Sequence, residues 1–258
     1  RPLAPFGLLL TAKRPGDEMR SIEARELRRM VDAHRVVVLR GFDALACDAL
    51  PDFCRGLGEL LEWDFGTVNE LRVHTDAQNY LFTNRAVPFH WDGAFAGRVP
   101  RYIFFQCEIA PPRGTGGETL FTDTTLILRQ ATAQQRALWQ RIRITYTTEK
   151  IAHYGGTFTS PLVARHPLSG EALMRFAEPV ADLNPVTLRI EGLAESEQQG
   201  FLKELHETLN DARFCYRHEW TGGDILIADN HALLHGRRAF AQDASRPQSR
   251  LIRRVNIL

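Results

Sequence analysis

Apolar and polar positions change their rhythm along this chain, and the changes mark its elements. Residues Ser21–Ala33 set Ile22, Leu27, Met30 and Val31 among charged neighbours, the spacing of a short amphipathic helix. The run Arg35–Arg40 is β-branched and is followed by Gly41, which predicts a buried strand and then a turn. Asp48–Trp63 reads as a second helix, with Pro51 in its first turn and Gly56 and Gly58 working against it. From Asn69 the pattern shortens. Tyr80–Thr83, Val99–Ile109, Gly117–Asp123 and Ile142–Tyr146 are predicted strands, and Pro111–Gly117 is a turn-rich loop. Thr124–Gln140 is the central helix, Thr157–Met174 reads as irregular, and Leu193–Asn210 is a further helix. Phe214–His218, Asp224–Asp229 and the tail Arg250–Leu258 complete the predicted strands.

Short strands interrupted by helices, with no repeat or linker between them, favour one mixed domain over residues 1–258, built on a small barrel or sandwich. Composition adds mainly exclusions. Hydrophobic residues make up 44% and charged residues 24%, enough for a sizeable core. A formal net charge of +1 gives no support for a nucleic-acid surface, so a small-molecule substrate is the expected partner. Cys47, Cys54, Cys107 and Cys215 have no paired short spacing and read as reduced, partly buried thiols, with a structural zinc site the alternative. There is no apolar run near the length of a membrane span, and Arg1-Pro2-Leu3-Ala4-Pro5 lacks a signal-peptide core. The expected location is therefore the cytoplasm, away from any membrane.

The chemistry concentrates in His90-Trp91-Asp92 and, far downstream, His235. If Phe89–Gly93 is extended, His90 and Asp92 project to one face and Trp91 packs behind. Pro88 favours extended geometry upstream. Two imidazoles and a carboxylate suit one face of Fe(II) with open positions opposite, although this donor set also admits zinc, manganese or a structural role. Arg250 and Arg254 lie four apart, on one face if the tail is a strand, and each offers a two-pronged donor for a carboxylate. Arg253 supplies a competing register. His231, four residues before His235, is a second candidate ligand. His74, His153 and His166 could face the pocket or satisfy loop polar groups, and Tyr80, Asn84 and Phe104 are candidate substrate contacts. Gly114, Gly116 and Gly117 do not form a nucleotide loop, because no Lys-Ser/Thr follows.

In this order and spacing, His90-Trp91-Asp92, Thr119 within Gly116-Gly117-Glu118-Thr119, His235 within His235-Gly236-Arg237, and Arg250 resemble the taurine/2,4-D dioxygenase-like family of Fe(II)- and 2-oxoglutarate-dependent oxygenases. The resemblance runs from Val36 to the tail. It implies a mainly β fold with flanking helices, a double-stranded β-helix or jelly roll. It implies His90, Asp92 and His235 as catalytic metal ligands, with Thr119 and Arg250 on the distal carboxylate of 2-oxoglutarate. O₂ is then the second co-substrate, and the products of the co-substrate are succinate and CO₂. The match to His-Gly-Arg favours His235 over His231. Arg254 corresponds to an arginine that faces the primary substrate, which implies an anionic or zwitterionic one, with His74 and Tyr80 as further contacts. The interval from His235 to Arg250 is longer than in the taurine enzyme of the family and places residues 242–248 in an extra turn. Retention of Asp92 favours hydroxylation or desaturation over halogenation, since family halogenases carry a small residue there. The expected reaction is oxidation of a C–H bond in a carboxylated or amino-acid-derived metabolite of secondary metabolism, with an isonitrile-bearing amino acid among the possibilities. A sulfonate or aryloxy-acid catabolic enzyme and a non-catalytic jelly-roll binder are the alternatives.

Overall fold

The run predicted as a buried strand is buried on both of its faces, and that property organises the molecule. In the computed structural model, which describes residues 1–258 except 15, 65, 152–153 and 242–248, it forms the strand Val36–Arg40. In chain order there are first β1 (Leu8–Thr11), α1 (Ala24–His34), β2 (Val36–Arg40), α2 (Leu50–Arg55), β3 (Val68–Leu71) and β4 (Val87–His90). Next come β5 (Tyr102–Ile109), β6 (Thr119–Asp123), α3 (Thr124–Gln130), α4 (Ala133–Arg141), β7 (Arg143–Ile151) and β8 (Tyr154–Pro161). The remainder supplies β9 (Val163–Arg165), β10 (Ala172–Met174), β11 (Thr187–Glu191), α5 (Glu195–Asn210), β12 (Cys215–His218), β13 (Ile225–Asp229), β14 (Leu233–Arg237) and β15 (Leu251–Ile257).

The two larger sheets have the orders β1-β2-β13-β5-β15-β3 and β12-β6-β14-β4. Val36 and Val38, Ile103 and Phe105, Leu226 and Ile252 from the first meet Phe121, Tyr216 and Leu233 from the second in one apolar cluster. Their sequence neighbours Val37, Leu39, Phe104, Ile225, Ile227 and Val255 point the other way, onto Leu27 and Val31 of α1 and Leu50 and Cys54 of α2. The period of two thus feeds two layers from one run, which is why the strand shows no polar alternation. The outer face of the four-stranded sheet, through Leu120, Cys215 and Leu234, packs on α3, α4 and α5 and on the sheet β11-β7-β8. The result is a mixed β/α architecture of several sheets. Among the described residues no strand pairing closes the two larger sheets into a barrel.

Several predicted elements differ from those observed. The helix expected over Asp48–Trp63 ends at Arg55. A Cβ at Gly58 would lie 2.7 Å from the Leu258 carbonyl, so this glycine serves the close approach of the segment to the chain end rather than merely weakening a helix. Tyr80–Thr83 is a 3-10 turn over Tyr80–Phe82, not a strand, because the Asn79 side chain accepts from the Leu81 N–H and offers the backbone a local partner. The central helix breaks in two at Thr132, which opens α4 with a capping box shared with Gln135. Thr157–Met174 is largely strand: β8 pairs with β7 through Thr–Thr contacts such as Thr145–Thr159 at 2.9 Å. Its glycines and prolines hid that pattern. Among the described residues no helix is long and apolar enough to cross a membrane.

The open end of β2 is tied to β13 by charge. Arg40 donates to both oxygens of the fully buried Asp224, at 2.7 and 2.6 Å, and the Thr221 N–H adds a bond at 3.0 Å. Burial alone would raise the Asp224 carboxyl, but Arg40 and His218 hold it below its usual range. A depressed folded-state pKa stabilises the fold above the unfolded value of roughly 3.9, and that contribution is lost as pH falls through the folded value. Asp224→Asn is expected to lower stability by roughly 1.5–3 kcal/mol at neutral pH. Thermal melts should also show a flatter acid dependence below about pH 4 than the native chain.

Candidate metal centre

Strand register brings the candidate ligands together. His235 on β14 lies directly opposite His90 on β4, and Arg237 lies opposite Thr119 on β6. Gly236 permits this approach, since a Cβ there would stand 2.7 Å from the Val87 carbonyl. β4 ends at His90, three residues short of the extended segment expected over Phe89–Gly93. Asp92 instead sits in a turn whose next residue, Gly93, has φ +96°. A turn, rather than strand alternation, therefore brings Asp92 back beside His90. Trp91 points away into the core, edge-on to Tyr146 and Phe158.

One donor atom from each of His90, Asp92 and His235 lies within 4.8 Å of the other two, a spacing that could hold a metal ion. Asp92 Oδ1 is 3.6 Å from His90 Nε2 and 3.8 Å from His235 Nε2. His90 Nδ1 lies 2.9 Å from the Pro88 carbonyl, which can only accept, so the proton sits on Nδ1 and Nε2 presents its lone pair to the centre. Burial, with His90 beside it, pushes His235 down to about 3, which leaves its ring neutral and able to ligate. Burial would raise the Asp92 carboxyl, but the Arg254 guanidinium, with His90 and His235, holds it well below the usual carboxylate range. Asn230 fixes the Asp92 backbone from the end of β13: its Oδ1 accepts from Asp92 N–H at 2.9 Å and its Nδ2 donates to the Asp92 carbonyl at 3.1 Å. Sequence reasoning missed Asn230, although it stands between Asp229 and His231 in the segment that carries His235.

Beside the cluster is a narrow cavity of about 30 Å³ reached by Thr119, His90, His235, Arg237 and Arg250. Arg250 is buried, with Nε and Nη1 lacking a hydrogen-bond partner among the described residues. Burial, with Arg237 nearby, pushes it down to about 9. Buried guanidinium N–H groups without acceptors are costly unless an anion joins them. Thr119 Oγ1 accepts from Trp220 Nε1 at 2.9 Å, so its own proton is free to turn toward such an anion. The donor set of the cluster and the unmet charge of this cavity therefore fit a metal ion and a carboxylate side by side.

A larger cavity of about 270 Å³ opens on the other side of His90 and Asp92, walled by Trp63, Tyr80, Phe82, Phe95, Val180 and Val186 among others. Arg254 lines both cavities, and its Nη1 lies 3.2 and 3.1 Å from the two oxygens of Asp92. Arg253 turns to the opposite side of β15 and pairs with Glu70 and Glu108, which resolves the competing register. Leu81 lines both cavities, and Arg237 grips its segment by donating to the carbonyls of Leu81, Thr83 and Arg85 at 3.1, 2.6 and 2.8 Å.

The remaining candidates lie elsewhere. His74 stacks on Phe82 and is not among the cavity-lining residues. His231 stands outside the cluster, accepting from Arg175 at 3.1 Å. His166 is buried 3.3 Å from Asp229, Asn84 donates to the Phe240 carbonyl, and Phe104 belongs to the helix-side core. His153 and the extra turn at 242–248 fall outside the described residues. Cys47 is exposed, the other three thiols are buried, and none belongs to the metal-competent group.

Comparison with known proteins follows the same lines. The family model described as "Taurine catabolism dioxygenase TauD, TfdA family" matches residues 1–256. A 3-((Z)-2-isocyanoethenyl)-1H-indole synthase of Fischerella ambigua is 48% identical, covering 100% of this chain and 94% of its own. A tyrosine isonitrile desaturase of Erwinia amylovora is 36% identical over 98% of this chain and 87% of its own. The crystal structure of the PvcB protein from Pseudomonas aeruginosa superposes with a TM-score of 0.82 at 35% identity, covering 98% of this chain and 86% of that one.

The turn after Asp92 supplies a test of how the cluster is held. A Cβ at Gly93 would lie 2.3 Å from the Arg98 carbonyl in a backbone conformation that favours glycine. Gly93→Ala should cost about 1–3 kcal/mol of stability. It should also weaken Co(II) binding, measured by titration of the metal-free protein, more than an alanine placed at exposed Gly97.

Proposed function

The chain belongs to the TauD/TfdA family of Fe(II)- and 2-oxoglutarate-dependent dioxygenases, and from that premise we propose that it desaturates an isonitrile derived from an aromatic amino acid. In this reading residues 1–258 are one oxygenase domain, with the six- and four-stranded sheets as the two leaves of a double-stranded β-helix. His90, Asp92 and His235 hold the iron, which when bound supplies the oxidising chemistry with O₂ and 2-oxoglutarate. Arg250 and Thr119 take the distal carboxylate of 2-oxoglutarate in the narrow cavity, where Nε and Nη1 of the guanidinium have no hydrogen-bond partner among the described residues. The observation that carries the reading is this adjacency of a His-Asp-His cluster and a buried arginine two of whose nitrogens lack a partner among the described residues.

The primary substrate occupies the larger cavity. Its walls of Trp63, Phe82, Phe95 and Val180 suit a flat apolar ring, and the relatives that are at least a third identical are named for indole and tyrosine isonitriles. We favour the indole-bearing compound, on the 48% identity to the relative named for an indole product. Tyr80 sits in the wall, and His74 backs it through Phe82. A metal ion on Asp92 would draw on that carboxylate's charge and leave Arg254 positive charge to offer a substrate carboxylate in the cavity. The apolar walls exclude water and hold the Cα–Cβ bond toward the cluster, so that a two-electron oxidation takes one hydrogen from Cβ and, from Cα, either the second hydrogen or the carboxylate as CO₂, leaving an alkene. The three buried thiols suit a reducing cytoplasm.

Anaerobic titration with Fe(II) and 2-oxoglutarate is expected to give the weak visible band of a chelated 2-oxo acid. His235→Ala should abolish the band, and Arg250→Met should require about 100-fold more 2-oxoglutarate, as the loss of roughly 3 kcal/mol from a charge-assisted bond predicts. In air, the isonitriles of tryptophan and tyrosine should each release succinate in step with alkene formation. Succinate without alkene from both would overturn the substrate while leaving the family chemistry standing.

A further inference from the structure

Trp63 stands in the wall of the larger cavity, on a short turn closed by reciprocal Trp63–Gly66 backbone bonds of 3.0 and 2.9 Å. Its indole Nε1 donates to Asn256 Oδ1 at 3.2 Å. Asn256, buried on β15 next to Arg254's face, donates through Nδ2 to Asp92 Oδ2 at 2.8 Å. The backbone holds the same register, for Leu61 N–H donates to the Asn256 carbonyl at 2.9 Å.

The direction of this chain follows from donor chemistry. An indole N–H can only donate, so the amide oxygen of Asn256 must face Trp63 and its NH₂ must face the carboxylate. In the flipped amide, two oxygens would meet at the position of the 2.8 Å bond, lone pair against lone pair. Asn256 holds only Oδ2, whereas Oδ1, which accepts from Arg254 Nη1 at 3.2 Å, is the oxygen beside His90 and His235. A residue of the cavity wall is thereby linked through one amide to the Asp92 carboxylate.

We propose that Trp63 is a positioning residue of the metal centre, acting through the Asn256 amide to present Asp92 by a single oxygen. The inference rests on the metal-centre reading above. It assigns Trp63 two tasks at once, a wall of the substrate cavity and the orientation of a metal ligand, and it makes Asn256 the link between them.

The test uses Co(II) as a spectroscopic probe, titrated into the metal-free full chain and followed through its visible ligand-field bands. Asn256→Ala should raise the Co(II) dissociation constant about 10- to 100-fold, the usual effect of losing a group that orients a ligand. Trp63→Phe keeps an aromatic ring in the wall but removes the pyrrole ring with its N–H, and it should raise the constant about tenfold with altered band intensities. The double variant should bind no worse than Asn256→Ala alone, because Trp63 acts through it. Thermal melts taken alongside separate a lost fold from a lost orientation. Native affinity and an unchanged spectrum in folded Trp63→Phe would overturn the relay, as would losses that add in the double variant. Absence of Co(II) binding by the unaltered chain would instead sink the metal-centre reading itself, and the relay with it.

Discussion

A carboxylate buried between two sheets stays charged only if its surroundings supply compensating charge and hydrogen bonds, and Asp92 is the place where the architecture meets that demand. Arg254 lies against both of its oxygens, Asn256 donates to one of them, and Asn230 grips its backbone from the turn that follows β13. These partners come from β15 and from the end of β13, whereas the histidines beside Asp92 come from β4 and β14 of the opposite sheet. The charged carboxylate thus ties the two sheets together. Its low pKa is a consequence of that convergence, since burial alone acts in the other direction.

Strand parity explains why those residues arrive together. On β15, Ile252, Arg254 and Asn256 share the face between the sheets, while Val255 and Ile257 pack on the helices and Arg253 pairs with surface acids. A slip of one residue would put Arg254 among apolar helix contacts and Val255 beside Asp92, so the apolar core enforces the register that the polar site needs. On β14 the same rule sends His235 and Arg237 inward and Leu234 into the outer core. Core packing and ligand placement are in this sense one constraint.

The sequence made the strand-rich architecture legible wherever burial is two-sided, as at Val36–Arg40, and made the ligand set legible because His90, Asp92 and His235 are unusual donors in a recognisable order. It was misleading where local hydrogen bonding competes with periodicity. Asn79 turns Tyr80–Phe82 into a 3-10 turn, Thr132 splits the central helix, and Gly93 bends the chain so that Asp92 leaves the strand of His90. Asn230 and Asn256 escaped notice for a different reason. An asparagine has no pattern of its own, and its importance lies in partners 138 and 164 positions away. Arg254 lines the cavity, and only the structure brings out its pairing with Asp92.

The grip of Arg237 on the cavity wall has an evolutionary side. All three of its bonds to the 81–85 segment go to backbone carbonyls, groups that every amino acid carries. The clamp is therefore blind to the identity of the side chains it holds in place. Leu81 and its neighbours can be exchanged by mutation while the wall keeps its position relative to His235, two residues before the clamp. Such a separation of scaffold from lining allows one oxidising centre to be fitted to new substrates by drift in the wall alone.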